Sequence, residues 1–123
     1  MNNSTKNTLM AVFTIFISYS IQAQPLSPDI LDYGMHEYLI PEIQKVYQYD
    51  NNISFKKIEE YAQCQMNIII NSAKSDEDAV TAIMEMSNNT SYNSGDIENI
   101  EDPQILSEEE LFNGYYNCLP DVI

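Results

Sequence analysis

The residues of this chain with the sharpest intrinsic reactivity are two cysteines, Cys64 and Cys118, and one histidine, His36. A cysteine nucleophile needs a nearby base to raise its thiolate fraction, and a zinc site needs about four nitrogen and sulfur ligands. His36 stands beside Glu37 and Tyr38, far along the chain from both cysteines, and reads as a surface or half-buried histidine. With 19 acidic residues, carboxylate pairs for glycoside hydrolysis can be drawn almost at will, which empties that signal of meaning. Neither SDEDAV nor DIENIED carries the alternating oxygens, turn glycine and closing glutamate of a calcium loop, and no glycine-rich phosphate loop occurs. These observations predict a protein that is not an enzyme and holds no metal or cofactor. For the cysteine pair, nucleophile, metal ligand and staple are the alternatives, and the compartment decides among them.

The N-terminus indicates that compartment. MNNSTKNTLMAVFTIFISYSIQAQ has a polar start with Lys6, an apolar run from Leu9 to Ile17 and a small residue at Ala23. This is the layout of a cleavable secretory signal, the apolar run being too short to span about 30 Å of hydrocarbon. Cleavage is expected after Ala23; Ile21 is bulky for its position, so a site a few residues away is an alternative, as is an uncleaved anchor. In an exported domain two cysteines read as one disulfide, Cys64 to Cys118. The bridge closes a loop of about 55 residues, worth about 4 kcal/mol in the chain-entropy model.

The chain has 5 basic and 19 acidic residues, and its net charge of -14 becomes one unit more negative when Lys6 leaves with the signal. Arginine is absent altogether. Such a chain cannot neutralise a phosphate backbone or coat an anionic membrane, which excludes nucleic acid and, for the mature form, lipid headgroups as partners. The same field speeds association with a basic protein and weakens with salt; plain solubility in an exported protein is the alternative reading of the acidity.

The pattern after the signal is helical throughout. Ser27 and Pro28 form a helix start, and DILDYGMHEYLI places Ile30, Leu31, Tyr38 and Leu39 at helical spacing, with a break or kink expected at Pro41 and a short helix over PEIQKVYQY. From Ser54 to Ala73, Phe55, Ile58, Ala62, Met66, Ile69 and Ala73 form one stripe, widened by Tyr61, Ile68 and Ile70, and this helix is expected to be the core. Ser75 and Asp78 form a capping pair for a helix whose inward residues are expected to be Ala79, Val80, Ile83 and Met84, with Met86 a further candidate. Residues 88–96, NNTSYNSGD, read as a loop, and DIENIEDPQIL as ambiguous. Ser107 and Glu110 cap a last helix with Leu111, Tyr115 and Cys118 on one stripe and Phe112, Tyr116 and Leu119 on its neighbour; Gly114 marks close packing. No alternating run suggests a strand. The chain is expected to be all-α, a small bundle of four to five helices stapled by one disulfide. Residues 1–23 are the signal, 24–53 an N-terminal helical segment and 54–123 the disulfide-linked core, with 24–123 a single domain.

Of the nine tyrosines only Tyr19 lies in the signal. Tyr61 and Tyr115 fit helix packing, whereas Tyr47, Tyr49 and Tyr92 fall in or beside polar segments, where a ring with a polar tip suits a partner surface. The Asn-x-Ser/Thr triplets at Asn52, Asn88 and Asn89 are glycan acceptors in a eukaryotic secreted chain and otherwise a product of composition.

The helix ending in a cysteine at FKKIEEYAQC, the Asp-Ala pair in KSDEDAVTAIMEMSN and the second cysteine in YYNCLPDV follow one another in an order that resembles the periplasmic immunity proteins that neutralise type VI secretion amidase effectors. The resemblance covers residues 55–121 and assigns Cys64, Asp78, Ala79 and Cys118 structural places. Gln63 and Asn117 stand where basic residues are expected before the cysteines, and residues 24–53 look like an added segment. The resemblance implies export to the periplasm, an all-α disulfide-linked fold, a homodimer in many members, and inhibition of a cell-wall cysteine amidase by occlusion of its cleft. The expected partner is a basic protein toxin, met by an acidic loop with an exposed ring: Tyr92, Asp96, Glu98, Glu101 and Asp102. The alternative is an acidic periplasmic chaperone or stress-response protein that binds many unfolded clients through apolar helix surface.

Overall fold

A computed structural model describes residues 26–50 and 52–119; the expected signal, 1–23, lies outside the described residues. Helix α1, Pro28–Gly34, passes through a π-helical turn, Met35–Leu39, directly into α2, Ile40–Val46. Helix α3 spans Phe55–Ser72 and α4 spans Asp76–Asn93. The short α5, Glu108–Phe112, continues into a second π-helical turn, Asn113–Asn117. Among the described residues there is no strand, and no helix is long and apolar enough to cross a membrane. The all-α reading therefore holds, as four rods.

Pro41 does not break the first rod. An α-helical ladder would call on its missing N–H; instead Ile40 N–H donates five residues back to Met35 O, so the register slips by one residue just before the proline and the helix goes on. The rod is part of the common core, since Leu39 and Ile43 are fully buried with Ile58, Tyr61, Ala62, Met66, Ile69, Ile83 and Met86.

Helix α3 is the core helix as expected, supplying Ile58, Tyr61, Ala62, Met66 and Ile69 to the buried cluster, and α4 packs against every other element. The narrow inward face of α4 allows this. Ala79, Ala82, Ile83 and Met86 are buried, whereas Val80 and Met84, expected inward, are exposed. Gly34 of α1 lies against Ile83 and Gly114 lies against Met86, and a Cβ at either glycine would collide with that side chain. On α3 the stripe is inward from Ile58 to Ile69, while Phe55 and Ile70 at its ends are exposed.

The largest departure from expectation is at 88–93, which is helix rather than loop. Asn, Ser and Thr are poor helix formers because their side chains compete for local backbone groups. Here several of those side chains reach partners on other elements, while Thr90 Oγ1 also donates to Met86 O and Asn93 Nδ2 to Asn89 O one turn back in the same helix. Ser87 Oγ donates to Tyr38 O, Asn89 Nδ2 to Leu111 O, and Ser91 Oγ to the Glu42 carboxylate. Thr90 Oγ1 accepts from the buried Gln65 amide, whose nitrogen also donates to Gly114 O at 2.9 Å. The helix then ends at Gly95, φ +89°, with Gly95 N–H on Tyr92 O and Asp96 N–H on Ser91 O, a Schellman closure.

The capping readings divide. Ser107 and Glu110 form the reciprocal box. Ser75 Oγ accepts from Asp78 N–H, but the Asp78 carboxylate takes the N–H of Lys74 rather than that of Ser75. Ser27 caps nothing with its hydroxyl; its backbone N–H donates to Asp76 at 2.8 Å, which ties the start of α1 to the start of α4. Cys64 and Cys118 form the disulfide, with Cα atoms 5.6 Å apart, fastening the last turn to the middle of α3.

Candidate functional site

Both sulfurs are bonded to each other, so neither is a thiolate for catalysis or metal binding. His36 is exposed on the first rod, its Nε2 3.3 Å from Asp32 Oδ1. Among the described residues no group of three His, Cys, Asp or Glu side chains converges to hold a metal ion.

What converges instead is a set of aromatic and acidic side chains at the C-terminal end of α4. Asn89, Tyr92 and Asn93 of α4, the loop Ile100–Pro103, and Glu108, Leu111, Phe112 and Tyr116 enclose a groove of about 270 Å³. Three rings in it stay half-exposed: Tyr92 at 45%, Phe112 at 55% and Tyr116 at 48%. Tyr116 is set between Phe112, 4.7 Å away centroid to centroid, and Tyr115, 4.9 Å away and edge-on, and its hydroxyl reaches Asn93 Oδ1 at 3.4 Å.

The walls are held from behind. Glu85 of α4 accepts hydrogen bonds from three consecutive backbone N–H groups, those of Gln104, Ile105 and Leu106, the last at 2.9 Å. That carboxylate holds an irregular loop that has no ladder of its own. The opposite wall starts at the Ser107–Glu110 box, where the Glu110 carboxyl is held below the usual carboxylate range by the hydroxyl of Ser72 and the N–H of Ser107. Beneath it Tyr61 O–H donates to Tyr115 O at 2.7 Å, and burial pushes the Tyr61 phenol well above its ordinary value.

Of the five residues expected to meet a partner, the structure brings Tyr92, Glu101 and Asp102 into the groove. Tyr92 sits there as a helical residue rather than in a loop. Asp96 turns away toward the first rod, where its Oδ2 lies 3.5 Å from Lys45 Nζ, and Glu98 is exposed outside the groove lining. The residues missed were Phe112 and Tyr116. Their spacing of four had placed them on one helix face, but a stripe beside a cysteine stripe suggested packing.

The chain matches no family model, no curated protein and no solved structure. The site's own chemistry must therefore carry its reading. A second hollow, about 260 Å³ between α1 and α4, explains the exposure of Val80 and Met84, which line it with Ile30, Tyr33 and Tyr38. Its single carboxylate, Asp29, gives it little to select a partner by charge. The groove at Tyr92 combines apolar area with three carboxylates, Glu101, Asp102 and Glu108, and no basic residue lines it.

Proposed function

We propose that this chain is an exported binding protein that docks on a basic protein through the Tyr92–Phe112–Tyr116 groove and inhibits it by covering its active-site cleft. The observation that carries the reading is the grouping of three half-exposed rings with three carboxylates on a chain without arginine and with net charge -14. Exposed rings supply the anchoring area of an interface, and the acids supply direction and on-rate toward a basic surface. The resemblance to type VI immunity proteins names the target class, a peptidoglycan-cleaving cysteine amidase acting in the periplasm. The disulfide fits the oxidising environment that this requires.

The test is inhibition of a panel of basic cysteine peptidoglycan amidases by the oxidised chain, comparing Glu101→Lys/Asp102→Lys with Glu59→Lys/Glu60→Lys on α3. Both doubles change the net charge equally. Loss of inhibition by at least about tenfold in the first alone supports the docking site. Equal loss in both reduces the effect to overall charge, and no inhibition anywhere in the panel overturns the reading. Weak binding to many unfolded clients, with none to the folded enzymes, would instead support the chaperone alternative.

A further inference from the structure

We infer that the groove is a receptor for one cationic side chain, an arginine or lysine presented by the docked protein, held over the faces of Tyr116, Phe112 and Tyr92 with Glu101, Asp102 and Glu108 as counter-charges. This rests on the docking reading above and names what enters.

Several carboxylates elsewhere on the same scaffold have partners. Glu85 holds the loop amides, Glu110 the helix cap, Asp76 the N–H of Ser27, and Glu42 and Asp96 share Lys45. Glu101, Asp102 and Glu108 make no hydrogen bond and no ion pair among the described residues, as is also true of exposed acids such as Glu60, Glu77 and Glu109, but these three line one hollow together with three half-exposed rings. An apolar side chain entering there would strip water from those carboxylates and return nothing to them, which is costly. A cation compensates them, and its flat or tetrahedral head is attracted by the electron-rich ring faces within about 6 Å of a centroid. The Tyr116 ring is already oriented by Phe112, Tyr115 and Asn93, so little side-chain freedom is lost when the cation arrives. The methylene stem of an arginine or lysine suits the apolar floor formed by Ile100, Pro103 and Leu111.

The experiment is an aromatic-region NMR titration of the oxidised chain with N-acetyl-arginine methylamide, and in parallel with N-acetyl-norleucine methylamide, which keeps an alkyl stem without the charge. Saturable shifts of Phe112 and Tyr116 with the arginine ligand alone, weakened by 0.3 M NaCl, are expected. Phe112→Leu and Tyr116→Leu keep apolar area without the ring face, and each should weaken the arginine ligand about two- to fivefold. Glu101→Gln/Asp102→Asn should weaken it further and remove most of the salt dependence, and this surface pair keeps the test decisive should a ring variant fold poorly. Equal shifts with norleucine, undiminished binding by the leucine variants, or no shifts with arginine would each overturn the inference. Inhibition of an amidase without arginine binding would sink the cation receptor and leave the docking reading standing. Arginine binding without inhibition in the panel would do the reverse.

Discussion

Gly114 is the residue on which the last rod's approach to the core depends. A Cβ there would run into the Met86 side chain of α4, and the carbonyl of Gly114 receives the buried Gln65 amide. Gly114→Ala gains about 1 kcal/mol of helix propensity, but overpacking costs about 1–3 kcal/mol and the displaced carbonyl adds to it. A net loss in urea unfolding is expected, with Gly114→Ala/Met86→Ala losing less than the sum of the two single changes because they share one space. Strict additivity would mean that Met86 moves aside freely. Glu110 gives a second residue-scale test through pH. Its carboxyl is held below the ordinary value of 4.5, first by Ser72 and then by Ser107. The unfolded chain therefore takes up this proton first as pH falls, so the contribution is complete above the ordinary value and is lost as pH drops through the folded one. Glu110→Gln should flatten the acid limb of the stability curve below about pH 5, and an unchanged acid limb would count against the bond to Ser72.

At the scale of elements, the loop before α5 depends on the carboxylate of Glu85. Glu85→Gln removes the charge and leaves one oxygen to serve three amides, at a cost of about 1–3 kcal/mol. Amide exchange at Gln104, Ile105 and Leu106 should accelerate while exchange in the middle of α3 changes little; uniform acceleration would show that this loop opens only with the whole domain. The elements themselves were legible in unequal degree. The stripe from Ile58 to Ile69 and the Ser107–Glu110 box carried their own physical signatures, and both α3 and α5 start where those signatures place them. Residues 88–93 were illegible because much of their support comes from partners distant in sequence: Glu42, Gln65 and Leu111 engage Ser91, Thr90 and Asn89, while Thr90 and Asn93 also bond back to carbonyls one turn earlier in the helix. Pro41 misled in the same way, since a one-residue slip in hydrogen bonding leaves no mark in the hydrophobic period. The groove was half legible. Acids and Tyr92 could be grouped from local sequence, but Phe112 and Tyr116 reach them only through the packing of α5 on α4.

At the scale of the molecule, two opposing effects meet in the bridge between Cys64 and Cys118. The chain carries 19 acidic residues against 5 basic ones, and the self-repulsion of that charge favours expansion. The disulfide spans 54 positions of sequence and limits how far the unfolded chain can expand, with a value of about 4 kcal/mol in the entropy model. For a domain near 100 residues, that corresponds to a fall of about 15–30 °C in Tm on reduction. Cys64→Ser/Cys118→Ser should show the same fall. Salt should then separate the two effects, because screening acts over about 10 Å at 0.1 M and weakens repulsion in either form. Raising NaCl from 0.02 to 0.5 M should lift the Tm of both the oxidised and the serine chain, without closing the gap between them. The serine variant should also lose the groove, since Phe112 and Tyr116 precede the staple by only a few residues and face α4 from the rod it fixes. A gap that vanished in salt would show that the bridge mainly resists charge repulsion. A gap that persisted while arginine-ligand binding was retained would show that the α5 rod docks on α4 without it.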